Sequence, residues 1–187
     1  MRRRDAPVMI ILGIDPGLNA TGYGAIEARA ERVQALAVGT IRPSPKQPLA
    51  HRLRELYDAL AGVMDRTHPA VTVLEAVYTH HQFLTTAAMM AHARGAICLL
   101  GAQRGLPVVE YLPTRIKKAL TGHGTASKEQ VARAVGARLD CDVTAWPSDA
   151  TDALALAIAH AHIARTETTL RLPATVHPRR HPQMVMG

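Results

Sequence analysis

Four carboxylates stand at positions where a negative charge needs a partner. Asp15 ends the most apolar run of the chain, and Glu75 lies within the apolar stretch 73–77. Asp149 and Asp152 begin a predicted helix, and acids three residues apart project from one helical face, so these two can converge on one point. A buried lone carboxylate is unfavourable unless it is paired or bound to metal. No Arg or Lys lies near Asp15 or Glu75 in sequence, so a metal ion is the expected partner.

Divalent metal chemistry is what such acids support. Mg²⁺ takes oxygen ligands from carboxylates and waters, and two such ions can hold the attacking and leaving oxygens of a phosphodiester. The acids therefore predict phosphoryl hydrolysis. Each signal has an alternative, because Asp15 before a Pro-Gly pair is typical of a turn and Asp149 and Asp152 are typical of a helix N-terminus. Glu75 has no such turn or capping role.

The histidines give no comparable signal. His80 and His81 are adjacent, and His160 and His162 are two apart on a predicted helix. Neither spacing places two rings on one helical face, so we do not predict these residues as metal ligands.

Hydropathy and turn residues predict the elements that must position the acids. Strands are predicted at 8–14, 22–28, 33–41, 71–76 and 108–112, and helices at 49–63, at 83–102, from near Ser127 and from near Ser148. Ser127 and Gln130 have capping-box spacing, and a linker carrying Pro113, Gly122 and Gly124 precedes them. The order β-β-β-α-β-α-β-α predicts an α/β fold, a five-stranded mixed sheet flanked by helices.

The 187 residues fit one domain. We expect a basic extension at 1–8, a nuclease domain at 9–165 and a disordered tail at 166–187, where the composition becomes polar and proline-bearing. The net charge is 22 minus 15, or +7. Residues 94–138 hold eight basic and two acidic side chains, a local +6 that predicts a phosphate-facing surface. A solvated helix face is the alternative interpretation of such a run.

Nothing in the sequence predicts export or membrane insertion. The apolar run near the N-terminus is too short for a secretory signal, and His92 and Arg94 interrupt the long apolar window 83–102. Cys98 and Cys141 show no zinc or redox spacing, so we expect reduced thiols in the cytoplasm. The helix at 85–102 is too apolar for a lone surface helix and is predicted to form a dimer face; burial in the core is the alternative.

Five segments occur in the order of the motifs of a known family. They are 13–17 with 21–24, 74–78, 93–96, 117–128 and 149–155. Together they resemble the RuvC family of Holliday junction resolvases, which belongs to the RNase H-like superfamily. The resemblance extends over residues 9–162, most of the chain. The first segment alone is a weak signal, whereas the ordered set is a strong one.

The resemblance implies a metal-dependent crossover junction endodeoxyribonuclease. Such an enzyme resolves four-way DNA junctions as a homodimer by two symmetric nicks, during recombination and repair in the cytoplasm. It would use two Mg²⁺ or Mn²⁺ ions per site, with RuvA and RuvB as partners. Carried over by position, the catalytic metal ligands are Asp15, Glu75, Asp149 and Asp152.

The resemblance also implies DNA contacts. Lys117 and Lys128 fall on the family's basic positions near the scissile phosphate, and Tyr78 stands where relatives often have Phe, an aromatic that acts at the base stacks of the junction. The basic segment 94–138 adds Arg115 and Lys118 as candidate DNA-binding residues.

Three other functions compete with this prediction. One is an ATPase of the actin and Hsp70 type, which would need a second lobe for which the chain has no room. Another is a nuclease of the same superfamily that acts on RNA:DNA hybrids; the basic linker and Tyr78 favour junctions. A junction-binding module without catalysis is disfavoured by the presence of all four acids.

Overall fold

The computed structural model describes residues 8–30, 32–76 and 84–171. The strands are β1 (Val8–Asp15), β2 (Thr21–Arg29), β3 (Arg32–Ile41), β4 (Val71–Glu75) and β5 (Val108–Tyr111). The helices are α1 (Leu49–Thr67), α2 (Leu84–Gln103), α3 (Pro113–Thr121), α4 (Lys128–Leu139) and α5 (Ser148–Arg171), with a short 3₁₀ turn at Val143–Ala145.

The strands form one mixed sheet in the order β3-β2-β1-β4-β5. β1, β2 and β3 are antiparallel neighbours, whereas β1, β4 and β5 run parallel. Parallel neighbours need crossover connections, and α1 and α2 lie in the two connections between these strands. The predicted five-stranded mixed sheet with flanking helices is therefore confirmed.

β1 is covered on both faces of the sheet, which explains why it is apolar from Val8 to Ile14. Side chains alternate between the faces of a strand. Ile11 belongs to the apolar cluster shared with α3, α4 and α5, whereas Leu12 and Ile14 belong to the cluster shared with α1 and α2. All three side chains are fully buried.

The segment predicted as a linker at 113–124 contains a helix, so that prediction was wrong. Pro113 occupies the first turn of α3, and Gly122 ends it in the left-handed conformation at φ 82°. Proline and glycine mark helix ends as well as loops, and Ile116 and Leu120, four residues apart, are buried against α5 and its neighbours. The predicted capping box at Ser127 and Gln130 is present.

The last helix continues to Arg171, beyond the predicted domain end at residue 165. The first strand begins at Val8, within the predicted N-terminal extension. Residues 1–7 and 172–187 lie outside the described residues, so the predicted extension and tail remain predictions. Within the described ranges, no helix combines the length and hydropathy that crossing a bilayer requires.

α5 lies directly on β1 and β2 because both strands carry glycine where the helix approaches. A Cβ atom added to Gly13 would overlap the main-chain oxygen of Ala153, and one added to Gly22 would overlap the main-chain oxygen of Asp149. A Cβ atom added to Gly24 would lie 2.8 Å from the side chain of Leu154. These contacts fix the height and the axial position of α5 on the sheet.

We expect Gly13→Ala or Gly22→Ala to destabilise the protein by about 2 kcal/mol or more, because the added methyl group meets main-chain atoms that cannot rotate away. Urea unfolding of each variant measures this loss. Gly62→Ala in α1 is the matched control, since its Cβ meets only the end of the Arg66 side chain and alanine favours a helix by about 1 kcal/mol. Equal stability of Gly13→Ala and Gly62→Ala would contradict the close packing.

Candidate active site

Asp15 and Glu75 end two neighbouring parallel strands. Ile14 is paired with Leu74 in the register of β1 and β4, so the next residues, Asp15 and Glu75, lie side by side at one edge of the sheet. Val73, two residues before Glu75, belongs to the cluster on the α5 face. By alternation, both acids therefore emerge on the face that α5 covers. Glu75 is exposed at the end of β4, not enclosed within the strand as the sequence suggested.

The first turn of α5 supplies the other two acids. α5 begins at Ser148, as predicted, and its contacts with Gly13 and Gly22 place that turn beside the end of β1. Asp149 and Asp152 are both half-buried. Both carboxylates raise the pKa of Asp15, which places them within electrostatic range of it.

One open cleft of about 330 Å³ brings most of the predicted residues together. Its polar lining consists of Asp15, Glu75, Lys117, Lys128 and Asp152. Its floor and walls are apolar and come from α3, α4 and α5: Pro113, Ile116, Val131, Ala155 and Leu156. The cleft is thus a polar site with a partly dehydrated base.

Burial and mutual repulsion perturb the acids of this cleft. The pKa of Asp15 is raised from 3.8 to about 7, first by burial and then by the charges of Asp152, Asp149 and Glu75. The pKa of Glu75 is also raised, by burial and by Asp152. Like charges in a partly dehydrated site disfavour ionisation. The positive charge near Asp15 and Glu75 is therefore too small to cancel the effects of burial and repulsion on their pKa values.

Three basic side chains offset part of this repulsion. Lys128 Nζ donates to Asp152 Oδ2 at 2.8 Å, and Asp152 raises the pKa of Lys128 in return. Lys117 is half-buried in the cleft wall and lowers the pKa of Glu75. Arg42, directly after β3, lies 3.9 Å from Asp149. These side chains come from different elements and surround the acids.

The donor set fits a hard divalent cation. Carboxylate oxygens are the ligands that Mg²⁺ and Mn²⁺ prefer, and the raised pKa of Asp15 reflects repulsion that a cation would relieve. Among the described residues, however, no three His, Cys, Asp or Glu side chains are close enough to enclose an ion. Asp152 is turned to Lys128 and Asp149 to Arg42. Each of these contacts uses one carboxylate oxygen, Oδ2, so ion binding would require the acids to approach one another while Oδ1 stays available as a ligand.

Several predicted site residues lie outside the cleft lining. Asp149 is beside the cleft but not part of its wall. Lys118 is exposed on α3. Arg115 donates to Glu167 at 2.6 Å and stacks 4.9 Å above the centroid of the Tyr111 ring. Tyr78 falls outside the described residues.

Two arginines near the acids were not singled out from the sequence. Arg42 follows a strand whose end pairs with the start of β2, so the hairpin register could have placed it at the same edge of the sheet as Asp15. Arg94 donates from α2 to the main-chain oxygen of Glu75 at 2.7 Å. The sequence places Arg94 among the basic residues of 94–138 and in the family-like segment 93–96, but predicts no role for it at the site.

Comparisons with known proteins agree on one family. The family model for crossover junction endodeoxyribonuclease RuvC matches residues 11–160. The crossover junction endodeoxyribonuclease RuvC of Rhodopirellula baltica is 38% identical over 161 residues, which cover 86% of this chain and 90% of that protein. Its counterpart in Pseudothermotoga lettingae is 40% identical over 152 residues, covering 81% of this chain and 93% of the relative.

Solved structures give the same picture. The structure of T. thermophilus RuvC in complex with Holliday junction substrate has a TM-score of 0.80 at 33% identity, covering 86% of this chain and 97% of that chain. The yeast mitochondrial Holliday junction resolvase has a TM-score of 0.66 at 13% identity, covering 90% and 84% of the two chains. At that identity the yeast structure supports the fold alone.

In EDTA, Asp15 should contribute a fall in the free energy of unfolding as pH rises from about 4 to about 7. The native state keeps the Asp15 proton up to a pKa of about 7, whereas the unfolded chain releases it near 3.8. The native state therefore binds more protons in this window and loses stability as pH rises. Denaturant unfolding across the window measures the effect. Asp15→Asn should flatten the dependence, and an unchanged slope in that variant would contradict the assignment.

Proposed function

The chain belongs to the RuvC family of crossover junction endodeoxyribonucleases, and from that premise we propose that it resolves four-way (Holliday) DNA junctions by paired symmetric nicks. The observation that carries the proposal is the cleft in which Asp15, Glu75 and Asp152 meet beside two lysines. Acids that repel one another suit metal-assisted hydrolysis of a phosphodiester. Such an activity would serve homologous recombination and DNA repair.

We assign metal binding to Asp15, Glu75, Asp149 and Asp152. When bound there, two Mg²⁺ or Mn²⁺ ions would activate a water and stabilise the leaving 3′ oxygen. The half-buried position of Asp15 fixes its carboxylate at the base of the cleft, and Glu75 faces it from the neighbouring strand. Asp152 accepts from Lys128 through Oδ2, which leaves its Oδ1 atom to serve as a ligand.

The basic residues of the cleft are assigned to the DNA backbone. Lys117 and Lys128 flank the acids, so either ammonium group could contact the phosphate that is cut. If the ammonium group of Lys128 left Asp152, a DNA phosphate, which is also negatively charged, could replace that carboxylate as its partner. Lys118 and Arg115, farther along α3, are assigned to flanking phosphates. Tyr78, which follows β4 in sequence, is assigned to stacking on a junction base.

Two symmetric nicks require two sites, and α2 supports a homodimer. Met89 and Leu99 are exposed on this helix. An apolar groove of about 500 Å³ lies between α1 and α2, lined by Leu53, Arg54, Tyr57, Ala91, His92, Gly95, Ala96 and Leu99. A second copy that covers this groove would remove a large apolar surface from water. By family resemblance we add RuvA and RuvB as partners and the cytoplasm as the location.

Two alternatives remain distinguishable by substrate. A hybrid nuclease of the same superfamily would cut an RNA:DNA duplex faster than a junction, and a binding module would bind the junction without cutting it. Family membership and the repelling acids favour cleavage of the junction.

We expect Asp152→Asn and Glu75→Gln to abolish nicking of a labelled four-way junction in Mg²⁺. Each amide removes a charged oxygen ligand without changing side-chain size. Gel-shift binding in EDTA should be retained or strengthened, because one negative charge near the phosphates is lost. The two measurements together separate loss of catalysis from loss of binding.

Asp140→Asn is the matched control for these amides. Asp140 ends α4 in the left-handed conformation at φ 52°, which asparagine also adopts, and it lies outside the cleft. This variant should nick at the wild-type rate. Undiminished nicking by both cleft variants would refute the metal-site assignment. Failure of the wild-type protein to cut junctions in either Mg²⁺ or Mn²⁺ would refute the proposed enzymatic activity.

Leu99→Glu should convert the dimer to a monomer at micromolar concentration, because Leu99 is 54% exposed and lines the groove of the proposed contact, and a buried unpaired charge is strongly unfavourable. Multi-angle light scattering measures the mass. Leu36→Glu, at a 43% exposed position on β3, is the control and should leave the mass unchanged. A monomeric wild-type protein, with and without junction DNA, would rule out the dimer.

A further inference from the structure

Arg94 connects α2 to the ends of two strands. Its Nη1 donates to the main-chain oxygen of Glu75 at 2.7 Å, and its Nη2 forms an ion pair with Glu110 of β5. The Arg94 side chain is only 15% exposed. The guanidinium is thus more enclosed than its partner Glu110, whose side chain is 47% exposed.

The main-chain oxygen of Glu75 needs a donor from outside the sheet. Along β4, the N–H groups of Thr72 and Ala76 donate to β5, so alternation turns the main-chain groups of Glu75 toward β1. Continuing the register of β1 and β4 places Pro16 opposite the Glu75 oxygen. Proline has no N–H to donate. Arg94 supplies the hydrogen bond that the ladder cannot.

This contact fixes the residue that ends β4. Ala76 N donates to Tyr111 O at 2.8 Å, which holds the next peptide to β5. The carbonyl oxygen of the same peptide group, that of Glu75, accepts a hydrogen bond from Arg94. With both groups held, the main chain at Glu75 has little freedom to rotate, and its side chain leaves the strand in one direction.

We propose that Arg94 is a positioning residue that holds the main-chain carbonyl of Glu75 and so directs the Glu75 carboxylate into the cleft. The inference rests on the proposed function, in which that carboxylate binds metal. Residues that orient metal ligands typically change metal affinity or activity about 10- to 100-fold when they are replaced. A residue that only joined α2 to the sheet would change stability and leave metal affinity alone.

The test compares Mn²⁺ binding by the DNA-free protein, followed by electron paramagnetic resonance, with the kinetics of junction cleavage. Arg94→Met keeps the length of the side chain and removes its donors. We expect it to weaken Mn²⁺ binding about tenfold and to lower kcat by about 10- to 100-fold. Junction binding in EDTA should equal that of wild type, because the Arg94 side chain is only 15% exposed and already pairs with Glu110.

Arg104→Met is the matched control. Arg104, just after α2, forms an ion pair with Asp65 of α1 and makes no contact with the cleft. It should bind Mn²⁺ and cut junctions as wild type does. If Arg94→Met fails to fold, Arg94→Lys replaces it, since a lysine should pair with Glu110 and leave the carbonyl without a donor. Its Mn²⁺ affinity should also be lower than that of wild type.

The outcomes separate the inference from the function on which it rests. Wild-type Mn²⁺ affinity and kcat in a folded Arg94→Met variant, or in Arg94→Lys where only that variant folds, would overturn the positioning role. Failure of the wild-type protein to bind Mn²⁺ and to cut junctions would overturn the proposed function instead. Equal losses in Arg94→Met and Arg104→Met would assign the effect to general destabilisation and also overturn the inference.

Discussion

At Gly13 and Gly22 the main chain of α5 lies directly against the main chains of β1 and β2, and the geometry of the cleft depends on this contact. Gly13 and Gly22 leave the space that the helix occupies. Glycine within a strand costs about 0.5 to 1 kcal/mol relative to alanine. Burial of Leu154 and Ile158, which α5 inserts into the core, offsets that loss at about 1.5 to 3 kcal/mol each. A helix raised by ordinary strand side chains would carry its first-turn acids away from Asp15.

The same close approach creates an electrostatic conflict. Acids from β1, β4 and α5 meet in a partly dehydrated cleft, and each makes ionisation of the others less favourable. Lys128 and Lys117 reduce the conflict without removing it, because the pKa of Asp15 stays near 7. A site of this kind attracts both cations and phosphates. Its acids can pair with a cation in place of a lysine, and its lysines can pair with a phosphate in place of an acid.

The edge of the sheet contributes a second constraint. β1 ends at Asp15 because Pro16 has no N–H group and cannot continue the hydrogen-bond ladder. The main-chain oxygen of Glu75 in the neighbouring strand β4 is therefore left without a donor from β1. Arg94 reaches that acceptor from α2 and also meets Glu110. α2 also carries the exposed side chains of Met89 and Leu99. One helix thus borders both the candidate active site and the surface proposed for the dimer.

The sequence by itself determined the elements whose signals are local. The apolar run of β1, the capping box at Ser127 and the start of α5 depend on neighbouring residues, so they could be predicted, as could the fold class. α3 was missed because Pro113 and Gly122 mark loops as well as helix ends, and only burial of the helix against its neighbours separates the two cases. The tertiary structure alone decided which groups meet: the acids come from segments 60 or more residues apart in sequence, on the order of a domain's length. Such contacts depend on strand register and on how closely α5 approaches the sheet, and no local pattern encodes either one.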